Sequence, residues 1–182
     1  MGLRNRHRHI DERCFFVTTT CNKWNPLLLF TNAFSLIENS LNFVNEKYHA
    51  VLLGYVLMPN HIHLIIYFKS ENKLSDYMRD FKKFTSIKIR QLVEESGNEA
   101  MLNSLRHKDV KRSFQVWQDR FDDVYLNSKK VLESKLDYIH LNPLQEHWRL
   151  VTRPEQYEFS SARFYETGIQ TQLKVVDYRE FF

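Results

Sequence analysis

The hydrophobic patterning of the 182 residues predicts an α+β domain, and three observations carry that prediction. Short runs rich in β-branched and aromatic residues alternate with stretches whose apolar residues recur at three-to-four spacing. Two strand-like runs, Ala50–Leu57 and His61–Phe68, are separated only by Met58-Pro59-Asn60, which is turn chemistry and makes them a hairpin. In order, the elements read β-α-β-β-α-β followed by a further helix. That is the split βαβ arrangement of ferredoxin-like folds, an antiparallel sheet with two helices on one face.

Arg13–Thr20 (RCFFVTTT) is the first strand by β propensity. A helix is expected over Asn32–Tyr48, with Phe34, Ile37, Leu41, Val44 and Tyr48 as its apolar stripe and Thr31 or Asn32 as its cap. Ser75 is expected to cap a second helix over Asp76–Glu95, with Met78, Phe81, Phe84, Ile87 or Lys88, and Leu92 on one side. Glu95–Lys111 reads as a loop and Ser113–Gln118 (SFQVWQ) as the last strand. Ser128 caps a third helix, Lys129–Leu141, which ends before Pro143 because a residue preceding proline is pushed out of the α region. A short helix is expected near Ser160–Glu166. The hairpin strand bearing His61 and His63 belongs in the middle of the sheet. A third helix on the open face would bring Tyr138 to those histidines.

No repeat or linker interrupts the chain, so residues 1–182 read as a single catalytic domain. Its core runs from about 13 to 166, with a basic N-terminal arm and a C-terminal tail at the periphery. Hydrophobic residues are 43% and charged residues 26%, ordinary for a soluble globular protein. A net charge of +4 permits nucleic acid as a partner without demanding it. Cys14 and Cys21 are too few for a disulfide framework or a zinc site. No apolar run approaches the roughly 18 residues of a membrane span. The basic start lacks the apolar core of a signal peptide, and a cytoplasmic location is expected.

Two segments carry chemistry. A strand with His61 and His63 aims both imidazoles the same way, because side chains alternate with period two. A helix with Tyr138 and Asn142 puts a phenol and an amide one turn apart on one face. Imidazole is a common metal ligand, and an amide oxygen suits magnesium or manganese. Each residue also has an ordinary reading: half-exposed strand histidines, a packed tyrosine, an asparagine ending a helix. A phenol with pKa near 10 is only about a thousandth ionised at neutral pH, so its use as a nucleophile needs activation. Lys135, one turn before Tyr138, could supply it or hold a phosphate. Lys82 and Lys83, interleaved with Phe81 and Phe84, could track a nucleic-acid backbone, as could Arg112 and Arg120 flanking Trp117. His140 points elsewhere on the helix and reads as structural. The sequence assigns no chemistry to His7, His9, His107 and His147.

Taken together, these residues are similar to a known family. Tyr55–His63 (YVLMPNHIH) resembles the His-hydrophobe-His segment of single-tyrosine (HUH-type) transposases. Tyr138–Pro143 (YIHLNP) resembles the tyrosine helix of their REP-associated branch. Phe81–Ser86 (FKKFTS), Trp117–Phe121 (WQDRF) and Arg153–Ala162 (RPEQYEFSSA) agree in the same order, so the resemblance spans about residues 13 to 166. It implies a metal-dependent enzyme that cleaves and rejoins single-stranded DNA beside a REP-like stem-loop, through a covalent 5′-phosphotyrosine and a free 3′-hydroxyl. Carried over, Tyr138 is the nucleophile, and His61, His63 and Asn142 hold Mg2+ or Mn2+. Two departures stand out. Leu144-Gln145-Glu146-His147-Trp148 replaces the basic and small-Gly residues common after Asn-Pro, and Asp123 is followed by Val124 rather than His. A rolling-circle-type nicking endonuclease and a non-catalytic single-stranded nucleic-acid binder remain open at this level, as do monomer and homodimer.

Overall fold

A computed structural model describes residues 12–107 and 113–182. Four strands, β1 (Cys14–Thr20), β2 (Ala50–Leu57), β3 (His61–Phe68) and β4 (Asp122–Tyr125), form one antiparallel sheet in the order β2-β3-β1-β4. The helices are α1 (Leu27–Phe30), α2 (Phe34–Lys47), α3 (Leu74–Glu95), α4 (Glu99–Ser104), α5 (Lys129–Leu141) and α6 (Ala162–Thr167). The order is the expected ferredoxin-like one, and β3 lies inside the sheet.

Both faces of the sheet are covered, which is why the central strands are apolar almost without interruption. On one face Phe15, Val17, Leu64 and Ile66 pack with Phe34, Ile37 and Leu41 of α2 and with Tyr77, Phe81 and Ile89 of α3. On the other, Phe16, Leu53, Val56 and Ile65 pack with Leu132, Leu136 and Ile139 of α5. A bulge between Leu52 and Gly54 lets β2 serve both faces after its register shifts. Gly54 lies beneath α5. A Cβ there would come within 2.6 Å of Leu136 Cδ1 and 3.2 Å of Ile139 Cδ1, so the missing side chain sets how closely α5 approaches.

Several expectations change. Ser113–Gln118 is not the fourth strand. It makes bridges at Phe114–Arg106 and Trp117–Cys21, while Asp122–Tyr125 pairs with β1. The aspartates concealed that strand, because they are poor β formers yet suit a short, charged edge. The buried stripe of α3 is Leu74, Tyr77, Met78, Phe81, Thr85, Ile89 and Val93, leaving Phe84 and Ile87 exposed. Thr85 enters the core because its hydroxyl donates to the Phe81 carbonyl at 2.8 Å and accepts from Trp117 Nε1 at 2.9 Å. Ser75 lies inside α3, where the Asn72 side chain accepts from the Leu74 amide instead. Neither Thr31 nor Asn32 caps α2. The expected loop contains α4, capped by Asn98. Ser128 does cap α5.

The outer edge of β2 is not left open. The amides of Leu57 and Val176 donate to the carbonyls of Phe159 and Leu52, and Ser161 Oγ accepts from the Tyr55 amide. The tail expected at the periphery thus buries Leu173, Val175 and Tyr178. Among the described residues no helix is long and apolar enough to cross a membrane.

Glu38 of α2 is buried with Oε2 lacking a hydrogen-bond partner, and burial, reinforced by the Glu158 charge, raises its carboxyl to about 7. Its folded pKa thus exceeds its unfolded one, so the contribution of Glu38 to stability is largest below the unfolded value and falls as pH rises to about 7. Glu38→Gln should therefore stabilise the fold at pH 8 by about 1–3 kcal/mol and lose that advantage near pH 4.5, read from urea midpoints. Gly54→Val should cost about 1–3 kcal/mol in the same assay, more than Gly54→Ala, because it overpacks the seat of α5.

Candidate active site

Strand β1 places Thr18 opposite His63 and Thr20 opposite His61, so the two histidines and two threonines share one patch of sheet. His61 and His63 are only 7% and 4% exposed. Each ring is held through Nδ1. His61 Nδ1 lies 2.7 Å from Asn60 Oδ1, which can only accept, so the proton belongs on Nδ1 and Nε2 carries a lone pair. His63 Nδ1 lies 2.8 Å from Thr18 Oγ1. Burial lowers the pKa of His61 to about 4, an effect to which His147 adds and which Asn142 opposes. Burial lowers His63 to about 3, with the His61 and Lys135 charges adding. Both imidazoles are therefore neutral at pH 7.

Helix α5 closes the patch. Its core stripe faces the sheet, so Tyr138 and Asn142 arrive on the flank over the histidines. The Tyr138 ring is 5.3 Å from the His63 ring, and Phe16 braces both, stacked on His63 at 5.3 Å and edge-on to Tyr138 at 6.1 Å. Tyr138 is 43% exposed and lines the cleft. Lys135 Nζ stands 4.8 Å from the Phe16 ring centroid and 5.8 Å from that of Tyr138. Asn142 is buried in a 3-10 turn, Asn142–Leu144, that continues α5. Its amide nitrogen is 3.5 Å from His63 Nε2, and its Oδ1 is buried without a partner.

These residues line one cleft of about 510 Å³. Thr18, Trp24, Gln145, His147 and Trp148 also line it, and Asn60 stands behind His61 through its Nδ1 contact. Only the register of β1 on β3 reveals Thr18. Asn60 was visible as the residue before His61, and Gln145, His147 and Trp148 come from the segment where the sequence departs from its relatives. Of the basic candidates, Lys135 reaches the cleft. Lys82 Nζ donates to the carbonyls of Gln118, at 2.6 Å, and Asp119, at 3.2 Å, on the α3 side of the sheet. Lys83 and Arg120 are exposed. Arg112 lies outside the described residues, as do His7 and His9. His140 Nε2 lies 2.8 Å from Ser161 Oγ, and burial lowers its pKa to about 4.

The cleft can be tested as a metal site. Among the described residues no group of three His, Cys, Asp or Glu could hold an ion. Outside those residue types the buried, partnerless amide oxygen of Asn142, a residue that lies against both His61 and His63, qualifies as a third donor. Two neutral imidazoles, each held through Nδ1, and one amide oxygen fit a divalent ion of the magnesium or manganese type. Asn60 and Thr18 supply the outer hydrogen bonds that orient metal-binding histidines.

With the ferredoxin-like sheet and its cleft described, comparisons with known proteins give the chain a family. The model of the "Transposase IS200 like" family matches residues 17–142, and the chain belongs to that family, the transposases. A REP-associated tyrosine transposase solved bound to a REP hairpin shares the fold with a TM-score of 0.64 and 20% identity, over 96% of this chain and 92% of that one. A Deinococcus radiodurans R1 structure assigned to the transposases aligns at 9% identity and a TM-score of 0.49, over 75% of this chain and 95% of that one. No curated protein matches the sequence.

In metal-free protein the His61 and His63 ring protons should titrate below pH 5 when followed by NMR. Lys135→Ala should move the His63 titration upward, because removing a nearby cation eases protonation.

Proposed function

We propose that this transposase cleaves and rejoins single-stranded DNA beside a REP-like stem-loop through a covalent 5′-phosphotyrosine on Tyr138. The observation that carries the reading is the meeting, within one chain, of an accessible Tyr138 with His63 and Asn142 in one cleft. The hairpin bound by the structural relative supports DNA of that shape as the partner. A site assembled inside one chain also favours action in cis, whether the protein is a monomer or a homodimer.

His61, His63 and Asn142 would hold Mg2+ or Mn2+. When bound, such an ion supplies Lewis-acid stabilisation of charge on the scissile phosphate. Tyr138 Oη attacks phosphorus, and its proton passes to solvent. The bond from phosphorus to the 3′ oxygen breaks, and that oxygen leaves as a 3′-hydroxyl after taking up a proton. The phosphodiester energy is kept in the tyrosyl ester, so a 3′-hydroxyl can attack it, restore the tyrosine and reseal a strand with no external energy source. Lys135, beside the phenol, would pair with the phosphate, and Phe16 keeps the tyrosine ring against His63. Lys82, Lys83, Arg112 and Arg120 are carried as contacts to the DNA backbone outside the cleft.

Incubation with a hairpin oligonucleotide bearing a single-stranded flank and Mn2+ should give a denaturation-resistant protein–DNA adduct and, with a second strand, a transfer product. Tyr138→Phe should form no adduct, while His63→Ala should slow adduct formation by about a hundredfold or more, the loss of several kcal/mol of transition-state stabilisation. Normal adduct formation by Tyr138→Phe would remove the nucleophile assignment. Adduct without transfer would instead favour a nicking endonuclease.

A further inference from the structure

We infer that Trp24 is the base-stacking platform of this cleft, holding the unpaired nucleotide adjacent to the phosphate that Tyr138 attacks. The inference rests on the strand-transfer reading above and adds to it a residue that none of the recognised motifs contains. Trp24 follows β1 in a tight turn, Asn22–Trp24, and its ring stands 6.3 Å from His61 on the cleft wall. It is 61% exposed. Of the other tryptophans, Trp117 is in the core and Trp148 is half-buried, its ring 6.1 Å from that of His61.

A lone exposed aromatic is unremarkable on a protein surface. This one is held in place against its own backbone preference. Lys23 and Trp24 have φ of 56° and 58°, in the left-handed region that bulky residues rarely enter. Such conformations persist only where the surroundings over-determine them, and they gather at functional sites. Here the surroundings are specific. The Asn22 amide donates to the Val116 carbonyl at 2.7 Å and the Trp24 amide to the Cys21 carbonyl at 3.0 Å. Lys23 Nζ and Asn25 Nδ2 reach Ser104 at 3.1 and 3.0 Å. The Ser113–Gln118 segment, with its bridge from Trp117 to Cys21, therefore buttresses this turn.

Asn60 gives the turn its relation to the chemistry. Its Nδ2 donates to the Trp24 carbonyl at 3.1 Å while its Oδ1 lies 2.7 Å from His61 Nδ1. One amide therefore ties the backbone of Trp24 to the imidazole of His61, so the turn that carries the indole is anchored to the proposed chemistry. Stacking on an aromatic face is tolerant of base identity, because every base presents a π-face. Trp24 would accordingly supply affinity and registration of the strand rather than sequence choice.

The test uses the full chain in the Tyr138→Phe background and the same flanked hairpin, with binding read by anisotropy and by tryptophan fluorescence. Trp24→Ala and Trp24→Gly should weaken binding by about 5- to 150-fold, the equivalent of one base stack. Trp24→Phe should keep most of the affinity but lose most of the fluorescence quenching. Glycine accepts the left-handed φ, so Trp24→Gly should melt no lower than Trp24→Ala, which separates the platform from any scaffolding role. One abasic position in the flank should erase the difference between Trp24 and alanine. Trp24→Ala and Trp24→Gly that bind as tightly as Trp24, while adduct formation with Tyr138 present is intact, would overturn this inference alone. If the protein neither binds the flank nor forms an adduct, the strand-transfer reading and this inference fall together.

Discussion

The packing of α5 against the histidine-bearing face of the sheet is the constraint on which the rest of this molecule depends. An antiparallel sheet can leave one face in water. Here that face is closed by Leu132, Leu136 and Ile139 seated over Ile65, Leu53 and Gly54. The side chain missing at Gly54 sets the depth of the seat, and the depth sets where Tyr138 and Asn142 lie above His61 and His63. A core contact and the spacing of the proposed catalytic groups are thus the same quantity. The proposed chemistry would tolerate little misplacement of reacting groups, and a tightly interdigitated helix, rather than a loop, carries the tyrosine.

Closing that face also fixes the electrical character of the site. Burial makes protonation of the two imidazoles costly, so both are neutral, and among the described residues no carboxylate lines their cleft. Each is oriented through Nδ1 by a neutral oxygen, Asn60 for His61 and Thr18 for His63. The cation nearest the cleft chemistry, Lys135, sits above these groups among the aromatic rings of Phe16 and Tyr138. In the proposed reaction, ligands without charge would leave the full charge of a divalent ion to act on a phosphate. Asn142 Oδ1, buried without a partner, is a local instability that such an ion would relieve.

The segments outside the βαββαβ core serve the same site from a distance. Ser113–Gln118 became a brace for the turn at Trp24 rather than a strand, and the stretch after Pro143 brings Gln145, His147 and Trp148 to the cleft wall. Residues 159–161 and 176 cover the edge of β2, which would otherwise offer unpaired backbone to another chain.

Local pattern determined most of the elements and the hairpin, because periodicity and turn chemistry act between near neighbours in the chain, while His61, His63, Tyr138 and Asn142 were joined as a group by the family resemblance of the segments that carry them. It misjudged the fourth strand, since Asp122 and Asp123 oppose β propensity and are tolerated only at an edge whose existence depends on β1. It misplaced the α3 stripe, since Thr85 reads as polar until Trp117 supplies its hydrogen bond. Thr18 as the partner of His63, Asn60 as the link between Trp24 and His61, and the seat of α5 on Gly54 were decided by tertiary structure alone. Each depends on the register and approach of segments far apart in the sequence, which are set by packing against a common core and leave no mark on any one segment.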